Sequence, residues 1–295
     1  MIYRVLRSLV TAVLLALLTT TSNHLIATAW KGGKPGCAGI LYAGKPVTGA
    51  PGLPENWLER LNYYRRAAGL PELREVPAFS ADLAKHVTYM LLNPDDIYHG
   101  ETPGRPGYTP EGNRAAAESN LYWYAGPAPP PDPIDTWMES LPHRYGLLHH
   151  ELQTTGFALG CDGRHCGAGL NVMRGLRSGS NPRPDGVVYP GPGQGRVNTG
   201  IISWQFDWHP TAVLTGAALW DSDGDPVAIT TRSPQPDDYF NVVAVLPVAP
   251  LSPSHTYTVE MHVTLGDRQL NRTWSFTTFG QPTYAVFAPL ILHDH

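Results

Sequence analysis

The sequence predicts an α+β chain in two successive parts, a helix-rich half over 54–177 and an all-β sandwich over 197–280. Three observations carry this expectation. Apolar residues recur at helical spacing from Pro54 to Met138, and at every second position in the segments from Ile201 to Thr278. Gly and Pro crowd the stretches 30–53 and 178–196, which frame the first part as a lead-in and a linker.

The helices follow in order. Trp57, Leu58 and Leu61 share one face of a segment that starts at Pro54 and stops at Gly69-Leu70-Pro71. Ser80 is a good N-cap for a second helix carrying Leu83, Val87, Met90 and Leu91 inward, with Asn93-Pro94 as its stop. A third short helix is expected over Arg114 to Asn120. A fourth opens at the cap pair Asp132-Pro133 and turns Ile134, Trp137 and Met138 inward. After Arg144 the pattern changes to short strands, Thr154 to Gly160 and Gly169 to Leu176, around the Cys161–Cys166 loop.

In the second part the period is two. From Thr256 to Thr264, Tyr257, Val259, Met261 and Val263 face one way. Strands are also expected at Ile201 to Trp208, Ala212 to Trp220, Val227 to Arg232, Asn241 to Val248 and Leu270 to Thr278. Many short strands separated by turn residues indicate an antiparallel sandwich. Asp221-Ser222-Asp223-Gly224-Asp225-Pro226 has alternate carboxylates, but Pro226 stands where a helix–loop–helix calcium site needs Gly, so it reads as a hairpin turn. Residues 281–295 form a tail whose apolar stretch is read either as an extra strand or as a cell-surface sorting signal.

Composition narrows the function. With 42% apolar residues the chain can bury a core, which excludes a mostly disordered protein. Charged residues reach only 16% and the formal net charge is −4, against a nucleic-acid partner that needs clustered Lys and Arg. Arg4 and Arg7, the short apolar run from Leu9 to Leu18 and Ala27-Thr28-Ala29 have the order of a secretory signal peptide over 1–29. No other segment is long and apolar enough to be a transmembrane helix. Export makes a Cys161–Cys166 disulfide the expectation, leaving Cys37 unpaired.

There is no H-E-x-x-H, G-x-S-x-G or phosphate-binding loop. His99, Glu118 and His143 lie in or near loops of the helical half. Two neutral imidazoles and a carboxylate could hold Zn²⁺ with an open position. Their separations form no local metal motif, and histidines that cap helices in partly buried loops would look the same.

These residues also carry a resemblance. Leu61-Asn62-Tyr63-Tyr64-Arg65 to Gly69-Leu70-Pro71, the Leu83/Ala84/His86/Met90 helix, His99 with Gly107-Tyr108-Thr109, and Trp137-Met138-Glu139-Ser140 to His143-Arg144 with Leu147-Leu148 resemble the bacterial form of the CAP superfamily. The resemblance implies an α-β-α sandwich whose cleft holds two histidines and two acids. His99 and His143 would be the imidazoles and Glu118 the first acid. The second acid is expected where Ser140 stands, with Glu139 one position early as a weak candidate. His149, His150 and Glu151 match no motif and are expected at the surface. Pro250-Leu251-Ser252-Pro253 to Trp274-Ser275-Phe276-Thr277-Thr278 is similar to bacterial Ig-like modules, which implies a spacer or adhesion role.

Three functions follow as expectations. The first is a secreted binding protein whose cleft takes a divalent metal or a small apolar ligand such as a lipid. The second is a metal-dependent hydrolase, plausibly a peptidase, with Glu118 as general base. The third is a structural protein with a vestigial cleft that contacts a cell-surface component.

Overall fold

The computed structural model describes residues 52–126 and 130–280. The expectations for the signal peptide, the lead-in before 52, Cys37 and the tail lie outside these residues. Among the described residues no helix is long and apolar enough to cross a membrane.

Helix and strand are mixed, as an α+β chain requires. Helix α1 (Trp57–Ala67) begins three residues later than Pro54, because the Asn56 side chain accepts from the amides of Leu58 and Glu59. Strand β1 (Arg74–Glu75) follows. Helix α2 (Pro77–Leu92) starts at a proline in its first turn. Ser80 is therefore inside the helix, where its hydroxyl donates to Glu75 and accepts from the Phe157 amide. Helix α3 (Pro110–Ala117) is capped by Thr109 and ends before Asn120, where the chain turns into strand β2 (Ser119–Ala125). Helix α4 (Pro133–Met138) opens on Asp132, which accepts from the Ile134 and Asp135 amides. Helix α5 (Leu141–Leu147) follows directly.

Strands β3 (Thr154–Thr155), β4 (Phe157–Cys161) and β5 (His165–Asn171) complete the first part. β1 pairs with β3 in parallel. A three-stranded antiparallel sheet has the order β2-β5-β4, and Cys161 and Cys166 face each other across its last turn as a disulfide. Both faces of this sheet are apolar. Tyr122, Ala168 and Leu170 join Leu61, Tyr64, Ile134, Trp137 and Met138 in the core beneath α1 and α4. Trp123 and Ala158 face the other way, toward Leu83, Val87 and Met90 of α2. Gly169 makes that approach possible, since a Cβ there would lie 2.7 Å from a Leu83 methyl.

The second part has strands β6 (Val187–Tyr189), β7 (Ile202–Gln205), β8 (Ala212–Trp220), β9 (Ile229–Arg232), β10 (Val242–Pro247), β11 (Thr256–Leu265) and β12 (Arg268–Thr277). They form a four-stranded sheet, β6-β7-β10-β9, and a three-stranded sheet, β12-β11-β8. Tyr257, Val259, Met261, Val263 and Leu265 point into the core shared by the two sheets, as the alternation predicts. The Asp221–Asp225 stretch is a turn in which Asp221 accepts from the Asp223 and Asp225 amides.

The stretch expected as a linker is partly structural. β6 lies within it, with Val187 and Tyr189 in the core of the first part and Val188 in that of the second. Arg144, 1% exposed, crosses the junction: it donates to Met138 O (2.6 Å), Ile201 O (2.9 Å), Ser203 Oγ (3.0 Å) and Thr199 Oγ1 (3.1 Å). Its guanidinium lies over the Tyr189 ring. Leu141, Ile201, Phe240, Val242 and Ala244 form a further apolar cluster there.

Candidate functional site

His99 stands in the loop after α2, half-buried. Its Nδ1 is 3.0 Å from Ala116 O, at the end of α3. A carbonyl only accepts, so Nδ1 carries the proton and the neutral ring keeps its lone pair on Nε2. Burial lowers the His99 pKa; the Ala116 bond opposes this, and the nearby His86 adds to it. His143 lies in the first turn of α5, with Nδ1 2.9 Å from Ser140 Oγ. Burial, and then His99, push its pKa down to about 4. Each imidazole thus influences the other's charge, and both are neutral at pH 7. A histidine whose Nδ1 is engaged by a carbonyl or hydroxyl has the orientation that metal-ligating histidines show.

Ser140, at the position where the resemblance puts a second acid, is itself part of the site as the His143 partner. Glu139 is not brought to the pair. It faces the junction, where burial raises its pKa to about 7 against the opposing effects of Arg144, the Thr199 hydroxyl and the Gly200 amide.

Glu118 caps the end of α3, and the chain around it touches both histidines. Ala116 O receives the His99 proton, and Asn120 Nδ2 donates to His143 O (3.0 Å). The carboxylate is nevertheless engaged elsewhere. Arg174 Nε donates to Glu118 Oε2 at 2.6 Å, and Asn171 Nδ2 lies 3.5 Å from the same oxygen. Among the described residues no group of three or more His, Cys, Asp or Glu is arranged to hold a metal ion. Of the expected donor set, His99 and His143 fit a divalent cation, and Glu118 in its Arg174-bound position does not.

Two further groups were not singled out from the sequence. His86 and Glu101 have fully buried side chains, His86 Nδ1 lying 3.1 Å from Glu101 Oε1. Glu101 Oε2 also accepts from the Thr109 amide (2.7 Å), tying α2, the His99 loop and α3 together. His86 Nε2 is buried without a hydrogen-bond partner. The available signal was a histidine between Leu83, Val87 and Met90 on the inward face of α2. Arg174 carried no signal, being 56 residues from Glu118.

His150, expected at the surface, is 7% exposed, because Nδ1 faces Asn181 O (2.8 Å) and Nε2 pairs with Asp207 of the second part. A groove of about 390 Å³ lined by Pro71, Glu72, Arg74, Leu152, Gln153 and Asn181 contains neither His99 nor His143.

Comparison with known proteins bears on the first part. Residues 58–172 match the family model described as CAP, the cysteine-rich secretory protein family, and this supports a CAP superfamily domain there. No curated protein matches the chain. Among solved structures, the crystal structure of CopC from Methylosinus trichosporium OB3b is similar at 17% identity over 31% of this chain and 88% of that one. Its TM-score of 0.26 carries no argument about fold or function.

Proposed function

We propose that this chain is an exported CAP-domain binding protein of bacterial type, whose cleft takes a divalent metal ion such as zinc through His99 and His143. An Ig-like module over 197–280 would present that domain. The observation behind this reading is the pair of mutually influencing, neutral imidazoles with engaged Nδ1 atoms. Bound there, the cation would supply a Lewis-acidic centre for an anionic or carbonyl ligand. Isothermal titration with zinc tests the proposal. The expected result is one ion bound, with binding lost in His99→Ala and in His143→Ala. Undiminished binding in the double variant overturns it.

A second reading, a surface protein with a vestigial cleft that contacts other cell-surface components, draws on the engagement of Glu118 by Arg174. Absence of zinc from the parent chain would favour it. The hydrolase expectation has no comparable support, because a carboxylate occupied by a guanidinium and an amide is not placed to take a proton from water. A small apolar ligand in the same cleft is an additional proposal, tested by lipid extraction from protein made in its native host.

A further inference from the structure

We propose that Arg174 is a latch on the metal site: it holds the Glu118 carboxylate away from His99 and His143, and a divalent cation must compete with it for that carboxylate. The inference rests on the reading of the cleft given above.

Three observations carry it. First, the backbone that bears Glu118 is anchored to both histidines, through Ala116 O to His99 and through Asn120 to His143 O. Glu118 is therefore the acid whose chain position lies between the two imidazoles. Second, its carboxylate is taken by Arg174 Nε at 2.6 Å, with Asn171 Nδ2 at 3.5 Å on the same oxygen. Third, Arg174 does not depend on Glu118 for its own place. Its Nη1 donates to Asp82 Oδ2 (2.9 Å), its guanidinium lies over the Phe79 ring, and its amide donates to Asn171 Oδ1. It can release the carboxylate and stay where it is.

Charge sets the threshold for release. Asp82 already faces Lys85 and Arg114 as well as Arg174. Three cations then share one acid, so withdrawing Glu118 leaves positive charge uncompensated at this edge of the cleft. A monovalent cation offers Glu118 no more than the guanidinium does. A divalent cation already seated on two imidazoles offers a larger charge and a direct bond. The latch thus selects for divalent ions and weakens their binding to the level the exchange permits.

Zinc titrations of the parent chain, Arg174→Gln, Arg174→Lys and the Arg174→Gln/Glu118→Gln pair test this. Freeing the carboxylate should tighten zinc binding about tenfold in Arg174→Gln. The double variant should return to the parent value. Cobalt(II) absorption should change in Arg174→Gln and revert in the pair, as expected when an oxygen donor enters and leaves the coordination sphere. Should Arg174→Gln fail to fold by circular dichroism, Arg174→Lys, which keeps the charge but loses the fork, is expected to tighten binding by a smaller factor. An affinity within about twofold of the parent in the folded variants overturns the latch. So does tightening that survives Glu118→Gln. If parent binding depends on His99 and His143 while Arg174 has no effect, the latch fails and the cleft reading stands. If neither parent nor variant binds zinc, both fail.

Discussion

Replacing Arg144 by Met should destabilise the whole chain, and the structure lets the size be worked out. The side chain makes four hydrogen bonds in a junction that is closed to water, two of them to carbonyls and two to hydroxyls. Thr199 Oγ1 and Ile201 O keep one another as partners after the substitution, at 3.2 Å. Met138 O loses the Arg144 donor, and a buried acceptor left without a partner costs about 1–3 kcal/mol. Ser203 Oγ loses a charged donor, and Glu139 loses the cation that opposes the rise in its pKa. Against these stands relief from burying a guanidinium, whose pKa burial lowers. Removing one partner from such a buried charged network typically costs 3–5 kcal/mol, so roughly 3 kcal/mol is expected. With a urea slope near 3 kcal/mol/M for a chain of this size, the midpoint should fall by about 1 M. Tryptophan fluorescence and far-UV circular dichroism, followed together, are the assay. If Arg144 couples the two parts, the two signals should coincide in the parent and separate in the variant. A midpoint within about 0.2 M of the parent, with coincident signals, refutes the reasoning.

Two pH predictions follow from groups already placed. Glu139 titrates near 7 in the folded chain against an ordinary 4.5. Between those values the unfolded chain has lost the proton and the folded chain keeps it, so stability falls as pH rises through this window and then levels. Glu139→Gln should flatten that slope in denaturation curves taken from pH 5 to 8; an unchanged slope would exclude the assignment. His143 behaves in the opposite sense, with about 4 in the folded chain against 6.5 unfolded. Below pH 6.5 the unfolded chain gains a proton that the folded chain does not bind, so stability is lost as pH falls towards 4. His149, also held near 4 by burial and His150, contributes in the same direction. His143→Gln should therefore remove part of the acid-side loss, and a variant with the full parental loss would count against a buried, neutral His143.

Legibility followed periodicity. β8 was readable residue for residue and β11 nearly so, because one face of each is wet and the alternation survives. β2 was hidden for the opposite reason: the sheet is covered on both faces, so Ser119–Ala125 has apolar residues without alternation, and its start was absorbed into the preceding helix. β6 was hidden by composition, since Val-Val-Tyr between Gly186 and Pro190 is too short to stand out from the Gly and Pro around it. At the site, His99 and His143 were nominated by residue type and by the CAP resemblance, and the structure places them within electrostatic reach of one another. That Glu118 pairs with Arg174, and Glu139 with the junction, depends on contacts between distant segments that no local pattern records.

The two faces of β6 have a practical consequence. Successive residues of this strand fill sockets in different cores, so the frontier between the two parts runs through the thickness of one strand. A fragment ended at residue 177 would leave the places of Val187 and Tyr189 empty, and one begun at 197 would lack an edge strand of its four-stranded sheet. Any dissection or transplantation of the helical half has to carry the chain at least through Tyr189. What composition marks as a hinge is, mechanically, a rivet.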